Sequence, residues 1–357
     1  MQFEDSAVQP DEGAVPRIDR AVILSALICA AICVIMMRTG FLSFLFLVPL
    51  GFCSVLYGPA AAWLGFIFAI TGNGVLALGV SLRYAAGLAN AGIDILYFSA
   101  LCLGFTWIMA NSPASIFPPV RTVYRFIIAS VAGAFAFIGV IFPFGFAQQA
   151  AEDSFYTLIR SQIEAISSTY IASLGTDAAQ QAFLERLLTP DRIIETFSLI
   201  IMRGGAIASA FFLFFISRQL AFGIARLRLR RIQRQNPGKV ITNRSAAREL
   251  IGFIAPRGTI IVLSLCLPLI LLSRTTSLAI IELASWNILV ICAIMFFAQG
   301  GGIVLFRLAR RPMPIFMRLV CSLAFVFIMF SPGINVIAIA AVILLGIAET
   351  WLPLRKN

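Results

Sequence analysis

Residues 21–37 read AVILSALICAAICVIMM, a run of apolar side chains without a single charged residue. The hydrocarbon core of a bilayer is about 30 Å thick, and about 20 apolar residues of α-helix can cross it. The same bias extends along the chain, since 60% of its 357 residues are hydrophobic and 12% are charged. A soluble chain of this length needs far more polar surface. We therefore expect an integral membrane protein whose main partner is the lipid bilayer.

Apolar runs bounded by charges, proline or glycine predict ten membrane spans, with eight as the lower count. The predicted spans are residues 21–37, 41–57, 59–80, 84–110, 124–147, 196–217, 257–273, 279–306, 314–331 and 334–352. In lipid the backbone must satisfy its own hydrogen bonds, which an α-helix does. The predicted fold is an all-α polytopic transmembrane helix bundle with a helical extracytoplasmic loop.

The net charge of +11 comes almost entirely from arginine, and the basic clusters alternate with the predicted spans. The clusters are Arg17 with Arg20; Arg121 with Arg125; the basic residues of 218–257; Arg307, Arg310, Arg311 and Arg318; and Arg355 with Lys356. Short cytoplasmic loops are enriched in such residues. The pattern predicts an inner (plasma) membrane protein with both termini in the cytoplasm. Arg38, Arg83 and Arg274 are exceptions, each a single residue in a tight turn.

This topology divides the chain into seven segments. They are a cytoplasmic tail (1–19), membrane helices one to five (20–147), an extracytoplasmic amphipathic helical segment (148–195), membrane helix six (196–217), a basic cytoplasmic loop (218–256), membrane helices seven to ten (257–352) and a cytoplasmic tail (353–357). Near the end of the third segment, Thr189 and Pro190 predict the N-cap and first turn of a helix that continues into span six. Gly175 is expected to end the preceding amphipathic helix.

The basic loop, residues 218–256, is expected to bind anionic lipids, with about 1 kcal/mol for each basic residue. The alternative is a docking site for RNA, a ribosome or a soluble partner. Its arginine-rich part, residues 226–248, has no interleaved aromatic residues on which bases could stack. We therefore expect no nucleic acid partner.

Enzymatic chemistry finds little support in the composition. The chain contains no histidine, which excludes His-ligated metals and nucleophiles paired with imidazole. All seven cysteines lie in apolar stretches, where a thiol acts as a small hydrophobe. There is no phosphate-binding glycine-rich loop with its lysine and no cluster of catalytic acids. We expect neither an enzyme nor a bound cofactor or metal.

Asp94 is the strongest candidate for a binding residue, because an ionisable group at the centre of a span costs about 2.5–3.5 kcal/mol on insertion scales. Asn90 and Tyr97 share its helical face. Arg203, about two turns into span six, is the expected counter-charge, and snorkelling to the interface is its alternative role. These residues predict a polar intramembrane pocket.

Two further candidates for this pocket lie beside glycine clusters, Asn73 in span three and Gln299 in span eight. Glycine clusters at membrane depth serve either close helix packing, which is commoner, or local unwinding around a solute. The predicted pocket thus lies between spans three, four, six and eight. Glu282 and Glu349 are close enough to span ends that we expect them to be solvated.

Three stretches carry a resemblance to known membrane proteins. Residues 296–319 read FFAQGGGIVLFRLARRPMPIFMRL, residues 346–356 read GIAETWLPLRK, and LLTPDRIIE leads to FFLFFISRQLA at 211–221. These motifs resemble the YybS-like family of bacterial multi-pass membrane proteins, and the resemblance extends over residues 20–357. The residues that carry it are Gln299, Gly300, Arg310, Pro314, Gly346, Trp351 and Arg355. That family is a domain of unknown function, so the resemblance implies architecture rather than activity.

A more distant similarity concerns the N-terminal half. The stretch PLGFCSVLYGPAAAWLG at 49–65 is similar in style to substrate-binding subunits of energy-coupling-factor vitamin transporters. Such subunits pair with an ATPase module through small residues of the first span, and Ala26 and Ala30 are the matching residues here. The similarity implies partner membrane or ATPase subunits, by analogy of fold alone.

Two functional hypotheses follow. The first is a small-molecule solute binding or transport protein with a polar pocket. The alternative is a non-transporting scaffold or assembly protein, which recruits partners through its basic loop and its extracytoplasmic helices. Copurification of envelope proteins that depends on residues 226–248 would distinguish the second from the first.

Overall fold

The computed structural model of the chain describes residues 19–39, 42–84, 88–110, 122–147, 155–173, 188–235, 252–276, 278–310 and 334–352, together with 317, 320, 324, 354 and 355. All the regular elements in these ranges are helices. They are α1 (Arg20–Arg38), α2 (Val48–Tyr57), α3 (Pro59–Tyr84), α4 (Leu88–Met109), α5 (Thr122–Ala147), α6 (Phe155–Ser173), α7 (Pro190–Ile200), α8 (Ala206–Gln235), α9 (Gly258–Thr276), α10 (Ala279–Arg310) and α11 (Ile334–Ala348).

Seven helical segments in the described part of the chain are long and apolar enough to cross a membrane. They are Arg20–Arg38, Pro59–Leu82, Ala91–Met109, Thr122–Gly139, Pro190–Leu229, Gly258–Thr276 and Ala279–Leu308. Two shorter apolar helices, Ser43–Tyr57 and Asn335–Ala348, coincide with the predicted second and tenth spans. The predicted all-α polytopic bundle is confirmed. The predicted ninth span, 314–331, lies almost entirely outside the described residues.

The outer surface of the bundle is apolar. Leu82 is 77% exposed, Leu271 is 67% exposed and Ile280 is 84% exposed, each on a long apolar helix. Contiguous apolar surface on this scale is unusual for a soluble monomer. It is the surface expected of helices that face lipid.

The core lies where α4, α5 and α8 meet, and it is built from aromatic rings. The Phe105 and Phe214 rings stack with centroids 6.2 Å apart, joining α4 to α8. The Phe126 and Phe211 rings meet edge to face at 5.8 Å, joining α5 to α8. Such ring pairs add about 0.5–1.5 kcal/mol to the area they bury. Helix α8 therefore lies at the centre of the bundle.

Contacts at two glycines give the directions of these central helices. Gly104 of α4 lies against Ala129 of α5 and Phe214 of α8. Gly133 of α5 lies against Leu101 of α4 and Ala210 of α8. Going from Gly104 to Leu101, toward the N-terminus of α4, the neighbouring residue on α8 changes from Phe214 to Ala210, also toward the N-terminus. The neighbouring residue on α5 changes from Ala129 to Gly133, toward the C-terminus. Helices α4 and α8 run parallel, and α5 runs antiparallel to both.

Helix α10 runs parallel to α8, because Asn287 contacts Met202 and Phe297 contacts Phe212. With these directions, the described members of the predicted basic clusters lie at one end of the bundle. They include Arg20 in α1, Arg125 in α5, Arg226 and Arg228 in α8, Arg307 and Arg310 in α10, and Arg355 after α11. We call this the basic end. The opposite end, where α5 ends and α7 begins, is called the loop end.

Helix α2 is too short to cross a bilayer by itself. Its ten residues span about 15 Å, half the hydrocarbon thickness. It ends at Gly58, which has a φ of 87° and so adopts a conformation that favours glycine. Pro59 then begins α3, a position where its missing N–H costs nothing. The chain therefore reverses direction within one residue at the basic end.

The sixth predicted span is longer than expected and is interrupted. Helix α7 begins at Pro190 with Thr189 as N-cap, although the Thr189 side chain makes no capping hydrogen bond. A π-helical segment, Ile201–Gly205, joins α7 to α8, which continues to Gln235. The first part of the predicted basic loop is thus a continuation of the span. Helix α6 confirms that the preceding segment contains a helix, while Gly175 lies outside the described residues.

Candidate functional site

Asp94 pairs with Arg38, which the charge pattern gives only as an exception in a tight turn. Its carboxylate forms an ion pair with Arg38 at the C-terminal end of α1. The same guanidinium donates a hydrogen bond of 2.8 Å to Asn73 Oδ1 on α3. The prediction that Arg203 is the counter-charge of Asp94 is wrong, because α1 ends beside α3 and α4 and brings Arg38 closer. The Arg38 and Asp94 side chains are 37% and 31% exposed, so this cluster remains accessible.

The other residues of the predicted Asp94 stripe have mixed outcomes. Tyr97 lies on α4 and packs its ring against Phe137 of α5, with centroids 5.5 Å apart. Asn73 is fully buried, and its Nδ2 has no hydrogen-bond partner among the described residues. The Asn90 backbone belongs to α4, while its side chain lies outside the described part of the chain. Asp94 and Asn73 are therefore brought together, and Tyr97 faces the neighbouring helix.

Arg203 lies in the interruption between α7 and α8. Inside the π-helical segment, Arg203 has a φ of −80° and a ψ of 31°, and Gly204 has a φ of 99°. A Cβ at Gly204 would lie 2.6 Å from a Val290 methyl carbon, so both the backbone conformation and the contact with α10 require glycine. Segments of π-helix inside α-helices are frequent at functional sites.

The partner of Arg203 is Glu282, in the first turn of α10. The Arg203 Nη2 and Glu282 Oε1 atoms are 2.8 Å apart, and the side chains are 32% and 17% exposed. Arg274 of α9 lies 3.9 Å from the same carboxylate oxygen and is itself 62% exposed. The expectation that Glu282 is solvated is wrong, because α9 and the π-helical segment cover it. We call Arg203, Glu282 and Arg274 the kink cluster.

Asn287 completes the kink from the side of α10. Its Nδ2 donates to the Met202 carbonyl at 2.7 Å and to the Leu283 carbonyl at 2.8 Å. The Met202 carbonyl is next to the residues with non-helical backbone, where α-helical hydrogen bonding is interrupted. The side-chain amide of Asn287, on the adjacent helix α10, therefore supplies the hydrogen bond that this carbonyl would otherwise lack.

Gln299 belongs to a different and closed network at the basic end. It is fully buried, and its Oε1 accepts a 2.9 Å hydrogen bond from the Ala255 amide. Its Nε2 donates to Glu349 Oε2 at 3.0 Å, and its carbonyl accepts from Arg355 Nη2 at 2.8 Å. Arg355 Nε and Glu349 Oε1 are 2.9 Å apart. We call Gln299, Glu349 and Arg355 the closing cluster.

Both charged members of the closing cluster are largely shielded from solvent. The Glu349 side chain is 7% exposed and that of Arg355 is 13% exposed, so the expectation of a solvated Glu349 is wrong. Burial lowers the pKa of Arg355, and the adjacent Glu349 carboxylate acts in the opposite direction. The C-terminal residues fold back onto α10, where Arg307 Nη2 also donates to the Leu354 carbonyl at 2.9 Å.

Gly300 of α10 serves close packing at this level. A Cβ at Gly300 would lie 1.9 Å from the Val342 carbonyl oxygen of α11. A Cβ at Gly346 would lie 2.1 Å from the Phe296 carbonyl oxygen of α10. Reciprocal contacts of this kind between small residues are typical of membrane helix pairs. The packing alternative, rather than unwinding, is confirmed for Gly300.

Arg125 occupies a place that the charge pattern did not predict. It lies in the first turn of α5, where we expected a loop residue at the membrane surface, and it is only 2% exposed. Its guanidinium carbon lies 5.7 Å from the Trp107 ring centroid, and its Nη1 donates to the Trp107 carbonyl at 3.5 Å. Arg218 of α8 is also buried, over the Phe126 and Phe222 rings. Aromatic faces compensate part of the cost of burying these charges.

The predicted pocket is thus divided among three clusters. Asp94 and Asn73 lie with Arg38, Arg203 lies with Glu282, and Gln299 lies with Glu349. Each of the three clusters contains a charged group paired with an opposite charge, which lowers the cost of burial. In the described part of the chain no group of three or more Cys, Asp or Glu residues could hold a metal ion, and the described cysteines are free.

Comparison with known proteins does not identify a relative: no family model matches the chain, no curated protein is significantly similar to it, and no solved structure matches its fold. The functional interpretation therefore rests on the geometry of the clusters. Two of them, around Asp94 and around Arg203, lie at the loop end. The third, around Gln299, lies at the basic end.

Proposed function

We propose that this membrane protein binds and moves a small solute, and that the kink cluster is its binding site. The observation that carries the proposal is the interruption of a membrane helix at Arg203 and Gly204 beside an ion pair at membrane depth. In many transporters, discontinuous membrane helices supply the groups that bind solutes and ions. Ionisable residues inside spans commonly mark such pathways.

The geometry of the kink cluster favours a solute with an anionic group. Arg203 is held by a single carboxylate, that of Glu282, and its side chain remains 32% exposed. A solute carboxylate or phosphate of matching size can replace Glu282 at the guanidinium, because arginine binds such groups through two parallel hydrogen bonds. Arg274 then keeps the displaced Glu282 paired. The function proposed here involves no covalent chemistry.

The proposal is tested with the purified protein in detergent. Its thermal unfolding is followed in the presence of pools of small carboxylates, phosphates and amino acids, since a bound solute raises the melting temperature. We expect the shift produced by a binding solute to vanish in Arg203→Ala, which removes the guanidinium, and to persist or increase in Glu282→Gln, which removes the competing carboxylate. The exposed Arg160, 3.4 Å from Asp191 at the same end, supplies the matched control Arg160→Ala, which should retain the shift. A shift that survives in Arg203→Ala, or that is lost in Glu282→Gln, contradicts the proposal.

The membrane and the orientation are part of the proposal. Most of the described arginines lie at the basic end of the bundle, and arginine is enriched on the cytoplasmic side of membrane proteins. This supports a bacterial inner-membrane protein with both termini in the cytoplasm. Membership of the YybS-like family also stays a proposal. Fusions test the orientation: a fluorescent protein at the C-terminus should fluoresce, and alkaline phosphatase inserted after residue 175 should be active. The reverse result overturns the orientation.

One observation favours the alternative of an assembly protein. Helix α6 has an exposed apolar residue, Ile166 at 69%, outside the segments long enough to cross the membrane. A partner protein or the membrane surface could cover it. Copurification of envelope proteins that is lost in Ile166→Asp, with solute shifts absent throughout, would support assembly over transport.

A further inference from the structure

A groove runs along the outside of the bundle between α1, α2 and α8, with a volume of about 620 Å³. Its walls are apolar along most of their length and include Ile28, Ile32, Val48, Phe52, Leu220 and Ile224. Arg228 closes the groove at the basic end, where Ser25 and Tyr57 also line it. The volume lies in the range of sites that hold small ligands, about 300–1,000 Å³.

The short helix α2 accounts for the groove. With a proline in its first turn and Gly58 at its end, α2 covers only about 15 Å of the space between α1 and α8. Apolar side chains on both flanking helices are therefore left uncovered. Ile28 is 51% exposed on α1, and Ile224 is 48% exposed on α8. The groove opens toward the lipid rather than into the bundle.

Arg228 directs its charge into this groove. Gly51 of α2 lies against Ala221 of α8, so Phe52 is about level with residue 222, six residues nearer the loop end than Arg228. Six residues of helix correspond to about 9 Å. The Arg228 guanidinium carbon nevertheless lies 5.7 Å from the centroid of the Phe52 ring. The Arg228 side chain therefore extends toward the loop end, along the apolar wall of the groove formed by Phe52.

Within the described residues, Arg228 forms no ion pair, although its guanidinium lies on an aromatic ring next to lipid. A cation in that position attracts an anion, and the apolar groove beyond it requires a hydrocarbon chain. Both requirements are met by one molecule. We propose that the groove binds an anionic phospholipid, with its phosphate at Arg228 and one acyl chain between α1, α2 and α8. This site is at the basic end and does not depend on the solute proposed for the kink cluster.

The test uses the full chain, purified in detergent and examined by native mass spectrometry. Phosphatidylglycerol is titrated against phosphatidylcholine of the same acyl composition, and bound lipid is counted on the intact protein. We expect one phosphatidylglycerol to remain bound preferentially. Arg228→Gln should weaken this binding about fivefold, the effect of removing one basic residue near an anionic headgroup. The matched control is Arg226→Gln, an exposed arginine on the same helix that does not line the groove.

A second variant tests the apolar part of the site. Ile224→Trp fills the groove and should displace the lipid, while Ile216→Trp, at a similarly exposed position of α8 outside the groove, should not. Each variant is first checked for a monodisperse elution profile. Equal losses in Arg226→Gln and Arg228→Gln, or unchanged binding in Ile224→Trp, overturn the proposal. A dimer that dissociates in Ile224→Trp, without bound lipid, also overturns it by showing a second copy of the chain in the groove.

Discussion

Helix α10 contributes Glu282 to the kink cluster near its start and Gln299 to the closing cluster nearer its end, and the charged groups of the two clusters differ in how exposed they are. In the closing cluster, Gln299 uses both ends of its amide, and the Glu349 and Arg355 side chains are 7% and 13% exposed. In the kink cluster, Arg203 remains 32% exposed beside a broken helix. Shielded and paired charges favour one arrangement, because a change leaves a charge unpaired away from water. The greater exposure of Arg203 leaves room for a ligand.

The largest effect should come from the helix contact that supports the closing cluster. Gly300→Ala places a carbon 1.9 Å from a backbone oxygen of α11, so the two helices must separate. We expect a loss of at least about 3 kcal/mol, at the upper end of the cost of overpacking. Thermal unfolding in detergent measures it. The control is Gly301→Ala, which meets no atom within 4 Å. Equal melting temperatures for the two variants would contradict the packing role.

The next effect comes from the charge of the closing cluster. Glu349→Gln keeps the shape of the side chain but leaves Arg355 without its counter-charge in a buried place. We expect destabilisation of about 2–3 kcal/mol, since removing one partner of a buried pair strands the other. The double variant Glu349→Gln with Arg355→Gln should recover part of that loss. A double variant less stable than the single one would show that the stranded charge is not the cause.

A smaller effect on stability is expected at the kink cluster, together with a large effect on function. Arg203→Ala removes a partly exposed ion pair, and such pairs contribute about 1 kcal/mol or less. The kink itself remains, because Gly204 and Asn287 hold it. We therefore expect a nearly unchanged melting temperature and complete loss of solute-dependent stabilisation. A loss of stability as large as that of Glu349→Gln would erase the distinction between the two clusters.

The smallest effect should be that of Asp94→Asn. The Arg38 and Asp94 side chains are each about one third exposed, and Asn73 remains as an acceptor for the guanidinium. We expect a change in stability of less than about 1 kcal/mol and retention of solute-dependent stabilisation. The same thermal measurement checks both. Loss of the solute effect in Asp94→Asn but not in Arg203→Ala would move the binding site to α1, α3 and α4.

The fold could be predicted from the sequence because its determinants are local. The length of an apolar run and the side on which arginines collect depend on neighbouring residues and on the bilayer, not on which helices meet. Residues 21–37 and the described arginines illustrate this. The burial of a charged side chain is not determined locally. Arg125 belongs to a basic cluster at the predicted end of the bundle, yet its side chain is buried against Trp107.

The pairing within the site could not be predicted in the same way. Arg38 and Asp94 are 56 residues apart in sequence, and only the packing of α1 against α3 and α4 decides that they meet. The sequence predicts Arg203 as a site residue but not its partner Glu282. Nothing in the neighbouring sequence distinguishes a carboxylate that is covered by other helices from one that is exposed to water. The sign that was available was Gly204, directly after an arginine inside an apolar run.

The π-helical segment at Ile201–Gly205 also has a consequence for the phase of the helix. Ala206 donates its N–H to the Ile201 carbonyl, five residues back, so this turn contains one residue more than an α-helical turn. An α-helix turns by about 100° per residue. The faces of α7 and α8 are therefore out of phase by roughly that angle. Deleting one residue here would realign the two periodicities and swing α7, with Asp191 and Glu195, around the axis of α8.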